Sequence, residues 1–245
     1  EIKILEKNEK LFPIQFQNSK NLEETLARFI SSRKVPQNRS FAKKIIQETG
    51  NDDFMGYIDI SFGLSLNDTL WIVPNKKEKL KREKVSLYEN PFSERLQMAS
   101  FGLGYDGSSA YKISPEFTTN GMLKKCWIKE DDGIYLLKTN SEKGFDRSTQ
   151  HLEVFSEYYI SQIAKLFKKN SVEYDIVDFK EQLCSKCKLF TSEKQGYLPI
   201  MAFLSEDELR QGKKILSDRT HFINKAIEIY GKENYEDLML FDSIT

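Results

Sequence analysis

The sequence predicts an α+β chain, and three observations carry that prediction. A front half mixes short helix-like and extended runs. A pair of strand-like runs meets around a Gly-containing turn between residues 125 and 138. Everything after Ser205 has helical apolar spacing. A mixed segment, a strand-rich segment and a helical tail, in that order, is the layout of an α+β architecture.

The chain has 245 residues, of which 39% are hydrophobic, 12% aromatic and 30% charged. That length supports one large or two small domains with a real core. The apolar and aromatic content excludes a disordered chain. No apolar run approaches the roughly 20 residues that span a bilayer, so no membrane partner is expected. Lys+Arg and Asp+Glu stand at 37 each. A protein that neutralises many phosphates usually carries a basic excess, so direct nucleic-acid binding is not expected. Three cysteines and no visible export signal point to a reducing compartment, the cytoplasm.

Along the chain, Ile2 and Ile4, then Ile14 and Phe16, alternate with polar neighbours and read as short strands. Asn21, followed by Glu24, marks a helix start, with Leu22, Leu26, Phe29 and Ile30 on one face. Val35-Pro36 ends that helix. A second helix carries Phe41, Ile45 and Ile46 inward and stops at Gly50. A helix pair of this kind also suits a DNA-reading helix-turn-helix, but the basic recognition face is weak, and a packed accessory pair is the plainer reading. Residues 57–74 read as extended. The run 76–84 holds six positive and two negative residues and is expected to be a solvated face rather than a phosphate surface. Gly, Ser and Thr crowd residues 101–121, so a soft boundary is placed near residue 115. Residues 154–168 are expected to be helical, with Phe155, Tyr159, Ile163 and Leu166 on the core side. Residues 197–203 read as an edge strand because of Pro199. Two final helices are expected, the first capped by Ser217 or Asp218 and closed by Gly231. Asn234 and Asp237 open the second.

Phosphoryl transfer asks mostly for positioning and charge neutralisation. It needs a small flexible loop near the phosphates and a lysine on an adjacent strand. A carboxylate on a following helix must hold that lysine, and an edge strand must face the base. These parts occur in order here. Thr118-Thr-Asn-Gly-Met-Leu-Lys-Lys125 is a polar loop entering a strand, and Gly121 lets the backbone come close. Lys138 ends the run Ile134-Tyr-Leu-Leu-Lys138. Glu157 lies early in the next helix, within Phe155-Ser-Glu-Tyr-Tyr159. The 197–203 run follows as a hinge.

That succession resembles the HipA-like serine/threonine kinases, through residues 118–125, 134–138, Ser156-Glu157-Tyr158 and 198–203. The stretch Phe62-Gly-Leu-Ser-Leu-Asn-Asp-Thr-Leu-Trp71 also resembles the upstream region of a bacterial subgroup of that family. The resemblance implies a protein-kinase-like N-lobe at 116–204, an accessory N-terminal subdomain at 1–115, and the start of a helical C-lobe at 205–245. It implies that Lys138 contacts nucleotide phosphates, that Glu157 orients it, and that Gly121 and Lys125 shape the phosphate loop. Met201, Ala202 and Phe203 would line the adenine site. Thr118, with Thr119 beside it, stands where family members autophosphorylate. ATP and Mg2+ are the implied cofactors, a protein hydroxyl the acceptor, and a DNA-binding antitoxin the implied partner.

The family's catalytic Asp-Arg-His stretch with its following Asn, and its later metal-binding Asp, are missing. Asp218-Arg-Thr-His221 mimics the motif but sits at an amphipathic helix start. The catalytic aspartate is therefore expected beyond Thr245, and none of the present residues is assigned that role or a metal. The alternative is a non-catalytic regulatory or DNA-associated module built on the front helix pair and the 76–84 face. Cys184-Ser-Lys-Cys187 has the spacing of half a zinc site, but no second paired cluster accompanies it.

Overall fold

The structure is a computed structural model that describes residues 14–17, 19–37, 39–48, 58–73, 77, 79–107, 113–141, 152–167, 171–198 and 219–244. It is α+β, with several helices and a four-stranded antiparallel sheet. The chain divides into two compact units, Ser32–Tyr197 and a unit made of Glu1–Ser31 with Leu198–Thr245.

In the smaller unit, α1 (Ile14–Gln17) and α2 (Leu22–Ser32) are joined by a polar turn. The expected strand at Ile14 and Phe16 is therefore a helical turn. Its Phe16 ring meets Phe29 edge-on, 5.8 Å between centroids. Asn21 does open α2, its Oδ1 accepting the Glu24 amide at 3.2 Å. Near the C-terminus, α7 (Arg219–Tyr230) packs on α8 (Lys232–Ile244). Gly231 sits between them at φ +79, and its N–H returns to the Ile227 carbonyl at 2.8 Å. Helix α8 starts two residues before the expected Asn234, whose side chain instead donates to the Tyr230 carbonyl at 2.6 Å. Ser217, Asp218 and Gly50 lie outside the described residues.

The larger unit is built on the sheet. Strand β1 (Lys125–Glu130) and β2 (Gly133–Thr139) form the expected hairpin around Asp131-Asp132. Helix α6 (Glu153–Ala164) follows. Strands β3 (Tyr174–Phe179) and β4 (Gln182–Lys188) form a second hairpin that the sequence reading did not anticipate. The sheet order is β1-β2-β4-β3. The turn between β3 and β4 is Lys180-Glu181, both at positive φ (53 and 62). This is the twist a tight two-residue hairpin demands, usually met by Asn-Gly.

Period-two alternation gives the sheet two distinct faces. One carries Cys126, Leu137 and Cys184, buried against Phe101. The other carries Lys125, Trp127, Ile134, Lys138, Ser185 and Cys187. Ile134 and Trp127 on this second face join a cluster with Phe62, Leu64, Leu66, Val85, Leu87 and Phe92.

That cluster corrects the expected strands at 57–74. Ile58–Ser61 is a helical turn, α4, and residues 62–73 are irregular. Phe62 and Gly63 both take left-handed φ (54 and 58), which no strand tolerates, and residues 61–66 are buried without alternation. Helices α3 (Ala42–Gln47) and α5 (Glu94–Ser100) complete the unit: α3 packs on α5, and α5 on β1.

Helix α6 is a second correction. Val154, Ser161 and Ala164 are buried, whereas Tyr159 is 62% and Leu166 82% exposed and Phe155 also faces out. The helix is turned so that Val154, a carboxylate and small residues face inward; of the expected apolar set only Ile163 is half-buried.

Candidate anion site on the sheet

Antiparallel register places Lys125, Lys138 and Ser185 in one row across β1, β2 and β4, all on the same face. Helix α6 lies over that row. Its position is fixed from the end of β2, where the Asn140 side chain accepts the Val154 amide at 2.9 Å and stands in for an N-cap. The Ser141 hydroxyl likewise donates to Glu153. Farther along, the Ser161 hydroxyl accepts the Tyr174 amide at 3.3 Å, tying α6 to β3.

Glu157, one turn into α6, is thereby brought onto the row. One of its oxygens takes the Lys138 ammonium in an ion pair, and the other accepts the Ser185 hydroxyl. Lys138 also donates to the Tyr174 hydroxyl at 3.2 Å. Burial works against the Lys138 charge, but the hydrogen bond and charge of Glu157 outweigh it and hold the ammonium above its ordinary value. Burial pushes the Tyr174 phenol up to about 12, so it stays neutral.

Among the described residues, no carboxylate lies within hydrogen-bonding reach of Lys125, whose Nζ donates to the Asn120 carbonyl at 2.8 Å. Its side chain is only 6% exposed. Burial, then the charges of Arg39 and Lys138, push the ammonium down to about 8, while Glu157 opposes them. Gly121, at φ +94, curls under this ammonium, and a Cβ there would collide with Lys125 Nζ. Two lysines, one carboxylate bonded to Lys138, and a glycine loop amount to a local cationic excess next to exposed backbone. Chemically, such a set suits an anion with several oxygens.

Other sequence-marked residues fall as follows. The Thr118 hydroxyl is buried and donates to the Leu64 carbonyl at 2.9 Å. Thr119 donates to the Pro115 carbonyl at 2.6 Å and accepts the Trp127 indole N–H at 2.9 Å. Met201, Ala202 and Phe203 lie outside the described residues, and Tyr197 and Leu198 just before them are exposed and not in a strand. Cys184 and Cys187 sit three positions apart on β4 and therefore point to opposite faces, so they do not converge on one ion. Among the described residues no three His, Cys, Asp or Glu side chains cluster for a metal. No described helix is long and apolar enough to cross a membrane. In the basic run, Arg82 pairs with Glu193 at 3.0 Å and Lys77 lies 4.7 Å from the centre of the Phe62 ring. Around the front helices, Arg33 pairs with Asp68 at 2.6 Å, and Lys44 donates to the carbonyls of Gly102 and Leu103 at 3.0 and 2.7 Å.

Tyr174 and Ser185 belong to the site, yet the sequence reading passed over both. The signal available was the alternation Tyr174-Asp-Ile-Val-Asp-Phe179, masked by the unusual Lys-Glu turn that follows it. No family model, characterised protein or solved structure gives a significant match to the chain.

Proposed function

We propose that residues 116–204 form the nucleotide-binding lobe of a HipA-like serine/threonine kinase. In this reading Lys125 and Lys138 receive nucleotide phosphates, Glu157 orients Lys138, and Gly121 admits the phosphates to the loop backbone. The observation that carries the reading is the Lys138–Glu157 ion pair, made between a strand-end lysine and the helix that connects β2 to β3. It supports the reading because phosphoryl-transfer enzymes of this kind need that lysine held by that carboxylate.

The residues present fit a polyphosphate: two cations stand opposite each other on one sheet face, and Glu157 bonds to one of them, Lys138. ATP would supply the phosphoryl group and a protein hydroxyl would accept it. No described cluster is assigned to magnesium. Because the sequence has no Asp-Arg-His stretch followed by Asn, the reading gives this chain binding rather than transfer. A DNA-binding antitoxin partner rests on the family resemblance, and no residue is assigned to it.

Calorimetric titration with ATP and magnesium tests the assignment. The chain should bind, and Lys138→Ala should abolish binding. Equal heats and affinities for the two proteins would remove Lys138 from the site.

A further inference from the structure

The segment 116–125, which leads through Gly121 into β1, is gripped from outside the sheet. Arg39 is 3% exposed. Its Nη1 donates to the Glu116 carbonyl and its Nη2 to the Lys125 carbonyl at 2.8 Å, so one guanidinium ties the two ends of the segment together. Ser40, the next residue, donates to the Met122 carbonyl from its amide at 2.9 Å and from its hydroxyl at 2.8 Å. Phe41 then places its ring 5.2 Å from the Lys124 ammonium. Three consecutive residues thus hold both ends and the middle of one loop.

The chemistry of the grip is costly in a way that packing alone does not explain. Glu116 is fully buried, and its carboxylate is taken up by the Ser114 hydroxyl and, at 2.8 Å, by the Trp127 amide. Burial raises the Glu116 carboxyl and lowers Arg39, so it disfavours the charged form of each. Buried charges of this sort are often no more stabilising than apolar residues of the same volume. A guanidinium fork, however, fixes two acceptors at a set separation, which an apolar side chain cannot do.

We propose that Arg39, assisted by Ser40, is a positioning residue that holds the Gly121 loop in the shape that accepts the phosphate chain of a nucleotide. This rests on the nucleotide-lobe reading. It assigns the grip to phosphate recognition and not to the base or sugar.

The test uses the whole chain, native and with Arg39→Lys or Ser40→Ala. Hydrogen exchange is read at the amides of 119–124 and at the β1–β2 ladder. Affinity is measured for ATP with magnesium and, separately, for adenosine. A lysine keeps the charge but cannot bridge both carbonyls. Losing one charge-assisted bond should speed loop exchange about tenfold and weaken ATP about tenfold. The ladder and adenosine should be unchanged. Ser40→Ala removes one neutral bond near the surface and should give about a threefold change in the same two readings. Equal losses of ATP and adenosine affinity would make Arg39 a general support of the fold and overturn the proposal. So would unchanged loop exchange and ATP affinity in Arg39→Lys or, should that variant not fold, in Ser40→Ala. A native chain that binds no ATP overturns the nucleotide reading and the phosphate role. In that case loop exchange in the variants still decides whether Arg39 and Ser40 set the loop's shape.

Discussion

Lys125 and Lys138 stand directly opposite each other across the β1–β2 hairpin, on the same face of the sheet. Like charges so placed destabilise a strand pair. Glu157 bonds to Lys138 and Ser185, which leaves the pair with an excess of positive charge that a bound anion would offset.

The first prediction concerns protons. The free Lys125 ammonium is pushed down to about 8 by burial and by its cationic neighbours. A phosphate beside it favours the charged form. Well below pH 8 the proton is already present, so binding takes up none. Between about 8 and the ordinary lysine value of about 10.4, binding must restore it. Triphosphate affinity should therefore fall as pH rises through that window, with uptake of protons. Calorimetry in buffers of different ionisation heat reads the uptake directly, and Lys125→Met should abolish it. In the absence of ligand the sign reverses. Over the same window the unfolded chain holds more protons at this site, so the Lys125 contribution to stability grows as pH rises.

Removing Glu157 should weaken both the site and the fold. The Lys138 and Glu157 side chains are partly exposed (15% and 28%), so the loss on Glu157→Ala is expected at about 1–3 kcal/mol, below that of a fully buried pair. Urea denaturation measures it. A Lys138→Met, Glu157→Ala double variant should lose less than the sum of the two single changes, because the second removal no longer strands a charge.

Helix α6 offers a test of its own orientation. Val154→Ala, at a fully buried position, should cost on the order of 1–3 kcal/mol. Tyr159→Ser, on the outer face, and Leu166→Ser, just past the helix end, should stay within about 0.5 kcal/mol. The reverse ranking in thermal melts would restore the face that apolar spacing suggests.

The three cysteines are free and buried. Burial pushes the Cys184 thiol up to about 11 and raises Cys126 and Cys187 as well. A thiol reagent at pH 8 should meet almost no thiolate and should label them only on unfolding. Zinc should not bind stoichiometrically through Cys184 and Cys187, which equilibrium dialysis would show.

These outcomes bear on how far the sequence was legible. The hairpin containing Lys138 was readable because its alternation and its turn agree. The α2 start was readable because Asn21 is a local cap. The side of α6 that faces inward was not readable. Phe155, Tyr159 and Leu166 form the stronger apolar stripe, but Val154, Ser161 and Ala164 let the helix approach closely enough for Glu157 to reach Lys138. Residues 57–74 misled for a different reason: left-handed φ at Phe62 and Gly63 is invisible in an apolar alternation. Arg39 was passed over because a buried arginine leaves no periodic trace. Its meaning lies in two carbonyls far along the chain.

The turn at Asp131-Asp132 has a consequence of parity. Side chains alternate strictly along β1 and β2, so the number of turn residues decides which of them share a side. One inserted residue that shifted the pairing by a step would bring Cys126, and not Lys125, onto the Lys138 side. It would also drive Lys125 toward the oily layer around Phe101. Asp132 accepts from the Tyr135 hydroxyl at 2.5 Å and pairs with Lys188 at 3.2 Å, but for the arrangement of the lysines it is the number of turn residues that counts. A short polar stretch thus serves as the ruler for the charge arrangement behind it.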